Sequence, residues 1–415
     1  MGLSDATHVL IVACGTYDGS VVALSHTHTT VKTEGPAILK PVLLDPSAHN
    51  GAVSAIAIDG PILVSGGTDE AIMLFSLPSQ TRLGSLELHT GTVRQLEFAT
   101  KLSGSAVPHL FSASDDGCIA IWRQTGTGIN GPREDSSSSW ECIRVLRRHK
   151  GPVISLAVHP SNRCAYSISE DKTFRIWNLL RGRQAYATRL KLVAPGAQSV
   201  LVSPSGHRLL FVWSDRFELV DLTTVAAASA NDKGLGSLLA SVQFPQPTSA
   251  CPVFFNEDDH DLQGVHKQPD DSAAKFIHVL VGCGSTMTCI RCPTLTVKGS
   301  KPDLAQNFGE VRLPGKRIKM IRVIVWPEAL KTDDLHPHYG YRCRLVAAVT
   351  TESTGSHIRG YAINLNWSLE PGKSFIPVFA HDISSARVTT LAVDWMHQQS
   401  EELKDEMIVT ESSPV

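Results

Sequence analysis

Apolar and polar residues alternate along the chain in short runs punctuated by Gly, Ser, Asp and Pro, the pattern of half-buried β-strands joined by tight turns. In four places the pattern takes one form. A strand ends in small residues, the chain turns at an aspartate, and a second alternating strand closes on a large apolar or aromatic residue six positions after that aspartate. CGTYDGSVVAL carries Asp18 before Leu24, SGGTDEAIMLF Asp69 before Phe75, SASDDGCIAIW Asp116 before Trp122, and SISEDKTFRIW Asp171 before Trp177. Self-similarity at a period of ~40 to 45 residues is the signature of four-stranded propeller blades. In three of the units a serine lies four residues before the aspartate (Ser65, Ser112, Ser167) and a histidine stands upstream (His49, His89, His149). These residue types complete one hydrogen-bond chain. The indole N–H donates to the serine, the hydroxyl to the histidine and the histidine to the turn carboxylate, so every polar group of a crowded blade is paired. The aspartate clamps the turn, and the tryptophan clamps the strand that the turn launches.

The spacing predicts an all-β, seven-bladed β-propeller filling residues 1–395. Blade two runs from about 49 to 86, blade three from 89 to 148 and blade four from 149 to 190. Residues 9–45 supply the inner strands of blade one, which has no outer lead-in of its own. ARVTTLAVDW (386–395) reads as the first strand of a blade with nothing after it; joining the two closes the ring and removes free sheet edges that would template aggregation. Between 195 and 365 the motif decays. GAQSVLVSPSGHRLLFVWSDRFELVDL reads as blade five, KFIHVLVGCGSTMTCIRC as part of blade six and YRCRLVAAVTTESTGSHIRGYAI as part of blade seven. A Gly/Ser-rich segment at 125–139 and an acidic one at 250–275 read as insertions, and 396–415 as a short acidic tail.

Composition sets limits on this picture. The 415 residues are 42% hydrophobic and 19% charged, with a mean hydropathy of −0.01, as in an ordinary soluble globular chain with a large core. A formal charge of −2 supplies no global attraction for nucleic acid. No basic segment precedes the apolar run in MGLSDATHVLIVACG, and no stretch reaches the roughly 18 apolar residues of a membrane span, which points to an intracellular chain without a membrane partner. Nine cysteines, an odd number without a framework, fit a reducing compartment.

Local charge is uneven. Residues 140–191 hold eleven Lys or Arg against three acids, among them Arg144, Arg147, Arg148, Lys150, Arg181, Arg183, Arg189 and Lys191. A second basic cluster, Lys316, Arg317, Lys319 and Arg322, lies in GKRIKMIR. A solvated strand face accounts for such runs; contact with RNA phosphates or an acidic partner is the functional reading.

Other chemical motifs resolve into blander readings. GTGING (126–131) fits G-x-G-x-x-G, but PREDSSSSW follows, with no amphipathic helix to aim at a pyrophosphate. Cys289-Ile-Arg-Cys292 is a lone C-x-x-C with Cys283, His260 and His266 as conceivable further zinc ligands, and residues three apart on a strand point to opposite faces. Ser, His and Asp recur once per blade, whereas a hydrolase triad occurs once. Asn366-Trp367-Ser368 is a glycosylation sequon that an intracellular chain does not present to the modifying enzyme. The expectation is a protein that is not an enzyme and uses neither cofactor nor metal.

With HKGPV (149–153) as a GH-like start and IWN (176–178) in the WD position, the sequence resembles a WD-repeat β-propeller. The text from WECI (140–143) through HKGPV, LAVHPS (156–161), DKT (171–173) and WNL (177–179) is similar to the p21-activated-kinase-interacting protein family, whose fungal relatives are the maintenance-of-killer WD-repeat factors. The lead-in at 13–24 and the terminal ARVTTLAVDW match that pattern too; the resemblance covers about the first 220 residues and the closing strand well, and 230–370 loosely. It implies a nucleolar scaffold, a monomeric propeller within a larger complex, that assembles the large ribosomal subunit on the pre-60S particle through protein and rRNA contacts. It also implies a negative regulator that binds a p21-activated kinase. Family members often carry a long Lys-rich tail, whereas residues from 401 onward hold five acids and one Lys. The acidic segment at 250–275 is a second departure.

Overall fold

The computed structural model describes residues 7–27, 36–99, 107–125, 139–190, 198–222, 236–244, 251–257, 276–293, 306–313, 317–325, 343–351, 355–364, 375–383 and 386–398. They form seven sheets, each a meander of four antiparallel strands, arranged as the blades of a propeller. Blade two comprises Val53–Asp59, Ile62–Gly67, Ile72–Ser76 and Thr81–Leu86; blade three Val93–Phe98, His109–Ser114, Cys118–Thr125 and Ser139–Arg147; blade four Val153–Val158, Cys164–Ser169, Thr173–Asn178 and Arg183–Arg189. Blade five opens on Ser199–Val202, blade six on Cys251–Glu257 and blade seven on Arg317–Val325. First strands of neighbouring blades pack on one another, so they line the axis of the ring, and the fourth strands form its rim.

Closure departs from the expected arrangement in one respect. The innermost strand of blade one is Val388–Gln398; it pairs along Thr7–Thr16, which is followed outward by Val21–Thr27 and Lys40–Asp45. Residues 9–45 therefore give the middle and rim strands, not the innermost one. The axial place must be apolar on both faces, because it contacts blades two and seven; Leu391 and Val388 meet that demand with almost no exposure. A further stitch was not expected. Ala37–Ile38 pairs in parallel with Phe379 and Ala380, adding a short fifth strand to the edge of blade seven. The acidic insertion also begins later than expected, because Cys251–Glu257 is the first strand of blade six. Residues 126–138 (GTGING among them), 258–275, the sequon at 366–368 and the tail from 399 lie outside the described residues.

The small residues that end each second strand have a packing reason. A Cβ on Gly66 would sit 2.6 Å from a Val93 methyl, and one on Gly15 2.3 Å from a Val53 methyl. Each valine opens the first strand of the next blade and is fully buried. Removing the side chain on one blade makes the seat for its neighbour, and one apolar cluster after another then fills the gaps between blades.

Candidate functional site

Three blades carry the clamp. In blade four the Trp177 indole N–H donates to Ser167 Oγ at 2.8 Å, Ser167 lies 2.8 Å from His149 Nε2, and His149 Nδ1 lies 3.2 Å from Asp171. Blade three repeats it through Trp122, Ser112, His89 and Asp116, with distances of 2.9, 2.8 and 2.8 Å. Blade two joins His49 to Ser65 at 2.7 Å and to Asp69 at 2.9 Å, with Phe75 packed where the indole would stand. The carboxylate only accepts, so the histidine proton sits on Nδ1 and the serine hydroxyl donates to Nε2. Each aspartate also accepts the backbone N–H that follows its histidine, at Asn50, Thr90 and Lys150. Burial by itself would raise these carboxyls; the hydrogen bonds outweigh it, holding Asp69 and Asp116 below the usual range and Asp171 at about 2. Blade one lacks the histidine, and Asp18 is bonded by the Thr16 hydroxyl instead.

This constellation cannot act as a hydrolase. Ser65, Ser112 and Ser167 are all at 0% exposure, and the hydroxyls of Ser112 and Ser167 are already committed to both an indole and an imidazole. The C-x-x-C is likewise split. Cys289 packs between blades six and seven and Cys292 between blades five and six, so their thiols lie on opposite faces, and burial pushes that of Cys292 up to about 12. Among the described residues no cluster of His, Cys, Asp and Glu is arranged to hold a metal ion; His260 and His266 lie outside them.

Around the axis the structure reveals a set of contacts that sequence reasoning missed. Thr389 donates to Val53 O, Ser54 to Val93 O, and Ser155 to Val200 O, each from one blade's first strand to the next. Between blades three and four Gln95 both donates to Leu156 O and accepts from Leu156 N–H, and Glu97 accepts from Val158 N–H at 3.0 Å. An axial strand has a free edge, and these side chains pair the backbone groups it leaves over. Burial pushes the Glu97 carboxyl up to about 7, with the Val158 N–H and the charge of Arg322 acting against it. In four blades the available signal was a polar residue one or two places after the valine that opens the first strand (Thr389, Ser54, Gln95 and Ser155); Glu97, four places on, had none.

The two basic clusters are not brought together. Arg317, Lys319 and Arg322 lie on the axial strand of blade seven, with Lys316 outside the described residues. Arg144, Arg147, Arg148, Lys150, Arg181, Arg183 and Arg189 are all exposed, on the rim of blades three and four; Lys191 lies outside the described residues. Here Arg147, Arg148, Arg175 and Arg183 line one open groove of about 660 Å³ between the rim strand of blade three and the outer strands of blade four. Arg144 spans the two blades, donating to the carbonyls of Arg181 and Gly182 at 3.3 Å. Arg175, which its sequence position did not single out, reaches the groove from the third strand of blade four and is tethered to Gln184.

The WD domain, G-beta repeat family matches residues 140–178, the rim strand of blade three and the first three strands of blade four. The chain is 34% identical over 193 residues to "p21-activated protein kinase-interacting protein 1-like" of Danio rerio, covering 46% of each chain. It is 30% identical over 142 residues to "Shk1 kinase-binding protein 15" of Schizosaccharomyces pombe, covering 33% of this chain and 36% of that one. To "Protein MAK11" of Saccharomyces cerevisiae it is 30% identical over 154 residues, 35% of this chain and 34% of that one. The chain is a homologue of these proteins. The chain spans about half the length of the kinase-interacting relatives of zebrafish, chicken and Xenopus laevis that it matches. Two of these names describe proteins that interact with a kinase, and none of the three describes an enzyme.

Proposed function

We propose that this chain is a non-catalytic WD-repeat scaffold in the assembly of the large ribosomal subunit, residing in the nucleolus and docking on the precursor particle by its blade three and four rim. The observation that carries the reading is the homology to MAK11 and the p21-activated kinase-interacting proteins, joined to a basic rim on a chain whose net charge is only −2. A closed ring exposes loops on two faces and strands on its rim, surfaces suited to holding several partners at once. The buried serines weigh against a hydrolase triad, and the split cysteines against a shared metal on Cys289 and Cys292. A tagged chain from growing cells should co-sediment on a sucrose gradient with large-subunit precursor rRNA, and R147E/R148E/K150E should lower that association at matched expression without unfolding the ring. Sedimentation only in light fractions would end the ribosomal reading.

The names of the zebrafish and fission-yeast relatives favour a second reading, an adaptor that binds and inhibits a p21-activated kinase. Light-fraction sedimentation together with a kinase as the main co-purifying protein would select it.

A further inference from the structure

We infer that the groove between blades three and four binds the phosphodiester backbone of RNA without reading its bases. Its lining brings together the guanidinium groups of Arg147, Arg148, Arg175 and Arg183 with no carboxylate. Five arginines elsewhere are paired with carboxylates: Arg82 with Asp45, Arg94 with Asp115, Arg123 with Glu141, Arg216 with Asp215 and Glu218, and Arg359 with Asp382. Arg147, Arg148 and Arg183 have no such partner among the described residues, although two of them are adjacent in the chain. The fold gains nothing from that crowding of like charge, and a polyanion would relieve it.

The groove is held in shape before any ligand arrives. Arg144 ties the rim of blade three to the Arg181–Gly182 turn of blade four, and Gly182 is at φ +59° with the Arg144 guanidinium where a side chain would stand. Arg175 is fixed by Gln184, leaving Arg147, Arg148 and Arg183 exposed to engage a ligand.

The lining also decides between anionic occupants. Its large apolar members, Leu146 and Trp177, are only 3% and 1% exposed, so no apolar pocket receives the anchor side chain on which a peptide interface depends. The same burial leaves no exposed aromatic in the lining on which a base could stack. What remains is a row of fork-shaped donors matched to phosphate oxygens, the sequence-independent part of nucleic-acid recognition. This inference rests on the ribosomal reading only for where the RNA would be met.

The test uses the purified full chain and a fluorescent oligouridine of about 20 nucleotides, long enough to cover a groove of this size. R147Q/R148Q/R183Q should weaken binding at least about tenfold and lower the slope of log affinity against log salt by about 2, as expected for three lost phosphate contacts. R147K/R148K/R183K should keep the salt slope and lose less affinity than the glutamine variant, because lysine retains the charge and gives up only the bidentate fork. K40Q/R312Q/R387Q, with the same charge change at exposed positions outside the groove and both basic clusters, should leave binding within about twofold. Equal loss from both neutral triple variants, no RNA binding by the wild type, or polyglutamate displacing RNA at lower concentration would each overturn the inference; the last would hand the groove to an acidic peptide. Binding through the groove in a chain that stays out of precursor fractions would keep this inference and sink the ribosomal reading. Precursor association by a chain that binds no RNA would do the reverse.

Discussion

Asp171 accepts hydrogen bonds from the Thr173 hydroxyl, the Lys150 and Thr173 N–H groups and His149, and its carboxyl sits at about 2. An unfolded aspartate titrates near ~3.9, so the fold holds the ionised form, and this contribution is full above about pH 4 and lost as pH falls towards 2. His149 acts higher on the scale. Burial, opposed by Asp171, holds its imidazole below the usual 6.5, so acidification through that value protonates the unfolded chain first and favours it. D171N should cost about 1–3 kcal/mol at pH 7, because one of the two accepting oxygens becomes an NH2 facing N–H or O–H donors and the charge is lost, and it should flatten the acid limb between about pH 4 and 2. Glu97 has the opposite sign. Its carboxyl is raised to about 7, so the fold favours the protonated form and stability is lost as pH rises through the range from about 4.5 to 7. E97Q keeps an acceptor for Val158 N–H and removes the buried charge, so it should melt higher than wild type at about pH 8 and level with it near pH 4. Thermal melts across pH read both effects, and an E97Q chain less stable at pH 8 would show that the Arg322 charge outweighs burial.

At the scale of elements, the closing strand carries the ring. Val388–Gln398 runs along Thr7–Thr16 from Thr7↔Gln398 to Thr16↔Val388, and Thr389 reaches across to Gly15 and Val53. Leu391 is fully buried in the cluster between blades seven and one, so L391A should cost about 2–5 kcal/mol. Its local signature should be faster hydrogen exchange in Thr7–Thr16 than in blade three, and equal acceleration everywhere would mean that the strand is not a separate latch. This strand was legible because ARVTTLAVDW is apolar and alternating with no partner nearby in sequence. Blades two to four were legible because His, Ser, Asp and a closing aromatic (Phe75, Trp122, Trp177) are constrained by type and spacing together. Cys251–Glu257 was not, because NED at its end merges with an acidic run and hides the apolar start. The parallel stitch at Ala37–Ile38 and the axial contacts of Gln95 and Glu97 were not legible either. The stitch joins segments far apart in sequence, and the polar residue after an opening valine marks a position without naming the backbone it will meet on the next blade. The rim cluster was visible as charge, but its groove depends on Arg175 and the Arg144 bridge, which only the packing of two blades creates.

The whole ring divides into a clamped part and an unclamped part. Blades two, three and four each fasten a lead-in histidine to a turn carboxylate. In blade five the turn carboxylate Asp215 is taken by Arg216, and the turn of blade six, Cys283-Gly284-Ser285, has no carboxylate. Among the described residues the buried Trp213 indole N–H of blade five meets no acceptor, whereas Trp122 and Trp177 each have a serine. A closed ring shares its strain, but opening starts where the fewest polar groups are tied, since a clamp lost to water must be given up before its blade unfolds. Native-state hydrogen exchange should therefore show Arg208–Val212 and Phe276–Cys283 opening at lower free energy than His109–Ser114 and Cys164–Ser169, the equivalent second strands of the clamped blades. D171N should bring Cys164–Ser169 down to the level of blade five and leave His109–Ser114 unchanged, because each clamp is local to its blade. If Asp171 is neutralised and blade three loses protection equally, the ring opens as one unit and the clamps act on the whole. The groove sits on the clamped side, between blades three and four, so its four arginines keep their spacing while the opposite side of the ring opens.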